Sequence, residues 1–369
     1  MKKYILIDAR LYGPKHTGIG RYTKNLLKNL TQQPDFNKYT YSLLVYPELI
    51  KEIKLDLGDN FKLIPTSIKH YSLKEQLFLP FIINKLNPDL VHFLHFNKPI
   101  LYFGKSVITV HDLIKHFFKG KETTTKNGTL YWIKYYLYLT VTYINIKLNT
   151  LIVPSNFWRD YIIKNFHIQP NKITTTYEAV DPKFTKIFLP ISLKHDNYII
   201  YTGNLYPHKN IDIIFEALKK LPDIKLKIIS ARSYFTNKIE NKIKKLKIEK
   251  QVIVLGFLPD EEFAGVYQKA IALVHPSLME GFSLTGLEAM ALNCPVISSN
   301  SSCLPEIYGD SVLYFNPTNS DQLIENIKQL NTSSSLRQNL IKRGASQIKK
   351  YSWDKTAKET LQVYSHLLS

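Results

Sequence analysis

Two carboxylates with seven residues between them, Glu280 and Glu288, lie in the run Pro276-Ser277-Leu278-Met279-Glu280-Gly281-Phe282-Ser283-Leu284-Thr285-Gly286-Leu287-Glu288. An apolar strand pattern, Ile271–His275, precedes the run, and a helix follows, with Ser283 in the capping position and Gly281 allowing a tight turn. A strand-loop-helix unit of this kind aims backbone N–H groups and the positive end of a helix dipole beyond the strand's carboxyl end. Hydroxyls and phosphates bind there. A carboxylate accepts two hydroxyl hydrogen bonds at once, which suits a diol. Taken alone, the pair reads equally well as a solvated loop carboxylate and an ordinary helix carboxylate.

Four further residues could do chemistry. Lys209 follows the apolar strand Tyr198–Tyr201 and the turn residues Gly203, Asn204 and Pro207. An ammonium fixed there would stabilise a diphosphate leaving group more in the transition state than in the ground state. His111 ends the strand Ser106–Val110, the usual place for functional side chains in parallel sheets. Gly18 and Gly20 stand between the first strand and the first helix, where a glycine lets the backbone approach a phosphate. Each also has a plain reading: a solvated lysine, a satisfied structural histidine, a tight turn.

The elements that must position these residues alternate along the chain. Apolar runs at Tyr4–Ile7, Tyr41–Val45, Leu90–Phe93, Ser106–Val110 and Leu151–Val153 are separated by helical periodicity. A second series follows at Tyr198–Tyr201, Lys225–Ile229, Gln251–Leu255, Ile271–His275, Pro295–Ser298 and Val312–Phe315. Short buried runs with helices between them predict α/β architecture: two Rossmann-like, doubly wound parallel-sheet domains. The expected domains are 1–188 and 189–350, joined by a linker near 185–195. Residues 351–369 form a last helix with Trp353, Ala357, Leu361, Tyr364 and Leu368 on one face, docking back on the first domain.

The chain has 369 residues, 49 Lys+Arg against 30 Asp+Glu, and a net charge of +19. Residues 1–190 hold 27 basic and 13 acidic residues, 27 − 13 = +14, and the remainder 22 − 17 = +5. Hydrophobic residues make up 44%, which excludes a disordered chain. The basic excess suits nucleic acid, an anionic membrane or a phosphate-bearing substrate. A nucleic-acid reading finds no helix-turn-helix, no RNA-recognition signature and no basic stripe interleaved with aromatics. Two cysteines, Cys294 and Cys303, are too few for a disulfide framework and lack metal-ligand spacing, so a reducing compartment is expected. The start of the chain is too polar for a signal-peptide core. The most apolar stretch, Leu130 to Pro154, is broken by Lys134 and Lys147, so no spanning helix is predicted.

The ordered features around Glu280 and Glu288 resemble the retaining nucleotide-sugar glycosyltransferases of family four, with the GT-B fold. These include Pro295-Val296-Ile297-Ser298 and Cys303-Leu304-Pro305-Glu306. Further segments fall in family order: Thr17-Gly18-Ile19-Gly20-Arg21-Tyr22, Val110-His111-Asp112-Leu113, Val153-Pro154-Ser155, Gly203 to Asn210 and Gly309-Asp310-Ser311 through Pro317. The polysaccharide and lipopolysaccharide mannosyltransferase branch is the most similar.

The resemblance implies two such domains facing a central cleft, an acceptor-binding first and a nucleotide-sugar-binding second. It places Glu280 at the reacting face of the donor sugar, the backbone of Gly281, Phe282, Ser283 and Leu284, with Thr285, on the sugar hydroxyls, and Glu288 on the ribose. It gives Lys209 the donor diphosphate and Gly18 a backbone contact to it, and it sets His111 near the anomeric carbon with Asp112 as its orienting neighbour. The base is expected near Gly256, Phe257 and Leu258 and near Ser230-Ala231-Arg232. His16, Arg21 and Tyr22 become acceptor-side candidates. Asn204 and His208 are donor-side, although relatives carry arginine where His208 stands and many carry arginine or threonine at Asn204. Protonation of His208 is expected to add to donor binding.

The implied reaction is metal-independent transfer of a hexose from GDP-mannose, or a UDP-sugar, to a polysaccharide or lipid-linked glycan, without a cofactor. The absence of an Asp-x-Asp motif and of a nucleophilic triad agrees with it. The expected location is cytoplasmic, peripheral on the inner face of the membrane, where the basic half meets anionic lipid, and no nucleic acid is a partner. The competing readings are a GT-B epimerase and a basic nucleic-acid-binding protein.

Overall fold

Runs such as Leu90–Phe93 and Ser106–Thr109 have no polar alternation and are buried along their whole length, as strands covered on both faces must be. The computed structural model describes residues 2–13, 16–120, 128–187, 194–230, 236–256 and 258–369. The chain divides into two compact units, 1–116 with 126–178 and 352–369, and 117–125 with 179–351. The expected boundary at 188/189 lies outside the described residues, as do Ala231, Arg232 and Phe257.

The first unit holds strands β1 (Lys3–Asp8), β2 (Tyr39–Val45), β3 (Lys62–Pro65), β4 (Leu90–Phe93), β5 (Ser106–Thr109), β6 (Thr150–Val153) and β7 (Ile173–Thr175). They form a parallel sheet in the order β3-β2-β1-β4-β5-β6-β7, with Ile7 registered against both Leu43 and His92. Its helices are α1 (Thr17–Leu30), α2 (Ile50–Leu57), α3 (Leu73–Leu86), α4 (Ile114–Phe117), α5 (Thr129–Leu148) and α6 (Asn156–Phe166). Residue 117, the last of α4, is counted with the second unit.

The second unit holds α7 (Pro182–Lys186), then β8 (Tyr198–Thr202), α8 (Asp212–Lys219), β9 (Lys225–Ile229), α9 (Thr236–Leu246), β10 (Val252–Val254), α10 (Asp260–Gln268) and β11 (Leu273–His275). It continues with α11 (Leu284–Ala291), β12 (Val296–Ser299), α12 (Leu304–Tyr308), β13 (Leu313–Phe315), α13 (Ser320–Thr332) and α14 (Ser334–Ile348). The sheet is again parallel, ordered β10-β9-β8-β11-β12-β13. Buried Arg337 of α14 donates to the carbonyls of Gln268, Ala270 and Ile271, tying α14 to the chain that enters β11.

The last helix, α15 (Trp353–Leu368), belongs to the first unit. Ser352 caps it through the Lys355 amide, Asp354 accepts from Gln33, in the turn after α1, at 2.7 Å, and Tyr364 Oη lies 2.6 Å from His92 Nδ1. Trp353, Ala357, Leu361 and Tyr364 are buried. Among the described residues no helix is long and apolar enough to cross a membrane.

Candidate active site

In each sheet the strand order reverses once, between β1 and β4 and between β8 and β11. Loops leaving the carboxyl ends of such neighbours diverge and leave room for a ligand. In the second unit they carry Lys209 and Glu280, about seventy residues apart in sequence and in contact in space: Lys209 Nζ donates to Glu280 Oε1 at 2.7 Å and to Oε2 at 2.8 Å. Asn210 fixes the lysine loop. It adopts a left-handed backbone (φ 54°), and its amide donates to the carbonyls of Pro276 and Pro317. The Leu278 amide donates to the His208 carbonyl at 2.8 Å, joining the two loops again.

The Glu280 carboxylate is also held by His275, the last residue of β11, whose Nε2 lies 2.9 Å from Oε1. A carboxylate only accepts, so Nε2 is the protonated nitrogen of this contact. On the far side of the ring Nδ1 lies 2.9 Å from Tyr308 Oη. That phenol is a hub: it lies 2.7 Å from Ser283 Oγ and accepts from the Gly286 amide at 3.1 Å. A Cβ on Gly286 would run into the Tyr308 ring and hydroxyl, so glycine is required there. Burial would raise the pKa of Glu280, but the Lys209 ammonium and the His275 hydrogen bond outweigh it and hold the carboxyl well below the usual range. The site therefore presents a buried, ionised carboxylate paired with the Lys209 side chain.

Three local expectations need correction. Ser283 is the N-cap of α11 by position, but its hydroxyl goes to Tyr308 and His275 and caps nothing. The turn into α11 is made by Ser283 itself, in the left-handed region at φ 81°, and Gly281 has no positive φ. A non-glycine residue there is strained, which marks a position held by its surroundings. His208 is buried between Tyr206 and Phe118, and burial, with Lys209 beside it, lowers its pKa to about 4. It is neutral throughout the physiological range and adds no charge to the site.

The other second-unit candidates take separate places. The Phe282 ring packs edge-on to Tyr351, and its carbonyl accepts from Cys303 Sγ at 3.6 Å. Leu284 is buried and Thr285 half-buried in the first turn of α11, and Glu288, one turn further, is buried. Asn204 is exposed after β8, its carbonyl accepting from Tyr201, and Leu258 is half-buried after β10.

In the first unit His111 sits at the end of β5 with Nε2 3.0 Å from the Leu94 carbonyl and Nδ1 3.5 Å from Glu178 Oε1. The orienting carboxylate is Glu178; Asp112 accepts instead from the Ile114 amide at the start of α4. Tyr22 is buried, its ring edge-on to His111 at 4.7 Å and to Trp353 at 5.7 Å, so it supports His111 and is not open to an acceptor. His16, Gly18 and Arg21 lie at the N-terminus of α1. Gly18 and Gly20 fall inside its first turn, not before it. Gly18 is exposed with open space where a Cβ would be, whereas a Cβ on Gly20 would strike the Gly13 carbonyl.

Sequence reasoning missed His275, Tyr308 and Glu178. His275 was within reach, since it ends a strand beside the loop of interest. Tyr308 and Glu178 carried no local signal; folding alone brings them to their partners.

Two family models divide this chain between them: Glycosyltransferase Family 4 matches residues 16–184, and Glycosyl transferases group 1 matches residues 185–347. The chain is a glycosyltransferase built from these two domains. This glycosyltransferase is 27% identical to "O-antigen chain mannosyltransferase B" of Escherichia coli, over 95% of this chain and 96% of that one. It is 26% identical to "O-antigen chain mannosyltransferase RfbU" of Salmonella typhimurium, over 92% and 95%. Among solved structures, the sucrose-phosphate synthase of Thermosynechococcus elongatus matches with a TM-score of 0.77 at 17% identity, covering 100% of this chain and 99% of that one. WaaG, described as a glycosyltransferase involved in lipopolysaccharide biosynthesis, matches with a TM-score of 0.73 at 15% identity, covering 98% and 99%. At those identities the structures bear on the fold, which is GT-B for this glycosyltransferase as well.

Proposed function

We propose that this glycosyltransferase moves mannose from GDP-mannose to a polysaccharide or lipid-linked glycan, with retention at the anomeric carbon and without a metal or cofactor. The observation that carries the reading is the Lys209–Glu280 pair, its carboxylate buried and its lysine half-buried, at the point where the second sheet reverses, next to the N-terminus of α11. The names of the two bacterial relatives support mannose.

Lys209 has three N–H donors, two of which serve Glu280, and we assign the third to a diphosphate oxygen. Glu280 takes sugar hydroxyls at the reacting face, the amides from Gly281 to Thr285 take the remaining sugar oxygens, and Glu288 takes the ribose diol. Leu258 is assigned to the base, His111 to positioning of the reacting sugar, and His16, Gly18 and Arg21 to substrate on the first unit. In the reaction the bond from the anomeric carbon to the diphosphate oxygen breaks, its electron pair leaving with the diphosphate. The acceptor oxygen bonds to the same face of that carbon, and its proton passes to the departing phosphate oxygen. Lys209 and the α11 dipole stabilise the charge that develops. The net +14 of residues 1–190 supports peripheral attachment to an anionic, cytoplasm-facing membrane.

Glu280→Gln and Lys209→Ala should each abolish transfer while the fold survives, and wild-type turnover in either would overturn the assignment. GDP at 100 times its dissociation constant should stabilise the enzyme by about 2.7 kcal/mol. UDP and ADP at the same concentration should give less, and the reverse order would remove GDP-mannose as the donor.

A further inference from the structure

The first unit carries an apolar surface that its own fold leaves open. On α5, Ile133 and Tyr136 follow helical spacing, a pattern that ordinarily marks a core-facing stripe, yet they are 60% and 62% exposed, with Trp132 exposed beside them. On α3, Leu77 and Phe81 repeat at i and i+4 and are likewise exposed, and Phe103, in the connection between β4 and β5, is 84% exposed. That connection ties the pieces together. The Ile100 amide donates to Gln76 of α3 at 3.0 Å, and Asn145 of α5 donates to the Lys98 carbonyl at 2.8 Å. The three segments thus form one side of the unit, with more large apolar side chains exposed than a monomer ordinarily leaves to water.

The charge on this side has one sign. Helix α5 contains Lys134 and Lys147 and no acidic residue. Helix α3 contains exposed Lys74 and Lys85, and its one acidic residue, Glu75, is fully buried against Arg10. A second copy of the chain pairing through this face would set lysine against lysine, because a two-fold interface presents the same patch from both sides. An anionic surface relieves that repulsion and takes up the aromatic side chains at its polar boundary.

We propose that α3, α5 and the loop around Phe103 form a docking surface for an anionic lipid bilayer, with the apolar side chains at the acyl boundary and the lysines among the phosphates. It deepens the reading of a membrane-borne acceptor and rests on it for its purpose, but its test does not use transfer.

Trp158 and Trp353 are buried, so Trp132 reports on this surface by its emission. The full chain is mixed with vesicles of phosphatidylglycerol and phosphatidylcholine in equal parts, and with phosphatidylcholine vesicles alone. Binding to the anionic vesicles, a blue shift of Trp132 emission and release by added salt are expected. The triple variant Phe81→Ser, Phe103→Ser, Ile133→Ser, and separately Lys74→Glu with Lys134→Glu, should each lower partitioning at least tenfold while the GDP-induced thermal shift stays unchanged. Equal binding to both vesicle types, no binding, or full binding by the lysine variant would overturn the proposal. So would a concentration-dependent dimer, seen by light scattering without lipid and lost in the serine variant. A chain that binds anionic vesicles but transfers no mannose refutes the reading of function and leaves the surface standing.

Discussion

Lys209→Met separates the electrostatics of the site from its packing, because methionine keeps most of the apolar stem and removes the charge. It leaves Glu280 a buried carboxylate beside His275 but without its cation. Removing one partner of a buried ion pair costs about 3–5 kcal/mol. A ceiling applies, since the stranded carboxylate can take a proton instead, at about 1.4 kcal/mol per pH unit above its ordinary value of 4.5. At pH 7 the gap is 7 − 4.5 = 2.5 units, about 3.4 kcal/mol; at pH 5 it is half a unit, about 0.7 kcal/mol. The signs follow from linkage. In the wild type the folded carboxyl is held below 4.5, so its contribution is fully present above 4.5 and lost as pH falls from there through the lower folded value; in the variant it is raised, so falling pH favours the variant. Thermal unfolding of both proteins at both pH values checks this. At about 2–4 °C per kcal/mol for a unit of this size, the difference of about 2.7 kcal/mol should make the fall in midpoint about 5–11 °C larger at pH 7 than at pH 5. Equal shifts at the two pH values, or almost none at pH 7, would refute the argument that Glu280 is a buried, cation-dependent carboxylate.

Other consequences follow from the same contacts. Tyr308→Phe strands the Gly286 amide and frees the far side of His275, at a cost of about 1–3 kcal/mol, and should lower kcat about tenfold and alter its pH profile at nearly constant donor KM. Lost stability with kcat and pH profile intact would leave Tyr308 a purely structural role. Gly286→Ala should destabilise by about 1–3 kcal/mol in urea unfolding, because its methyl group meets the Tyr308 ring. Burial lowers the pKa of His92 to about 3 and of His208 to about 4. The folded chain thus refuses protons that the unfolded chain accepts below pH 6.5, and stability should decline as pH falls from 6.5 towards 4. Donor affinity should by contrast stay level between pH 5.5 and 8, and a histidine-like step in a calorimetric titration would show that His208 is charged.

The sheet cores were legible because their strands are short apolar runs: Leu90–Phe93 and Lys225–Ile229 match their observed limits. The two strands missed, β3 and β7, are the edges of the first sheet, where one side faces no partner and the sequence stays mixed. Lys209 and Glu280 could be found because each ends a strand-loop signal, and the resemblance gave them a common purpose. What joins them could not be found that way. The reversal of strand order, the His275 to Tyr308 hydrogen bond over 33 residues and the pairing of His111 with Glu178 over 67 are products of tertiary packing. The capping role expected of Ser283 failed for a related reason, since a buried phenol competed for its hydroxyl.

The central claim, a mannose donor handled at the Lys209–Glu280 pair, is tested most directly by one time course. GDP released from GDP-mannose is measured with a lipid-linked glycan acceptor, for the wild type and Glu280→Gln, and the anomeric configuration of the product is read by NMR. The expected result is GDP release by the wild type with retained configuration and none above background from the variant. Undiminished release by the variant, an inverted product, or turnover confined to UDP-sugars would contradict it.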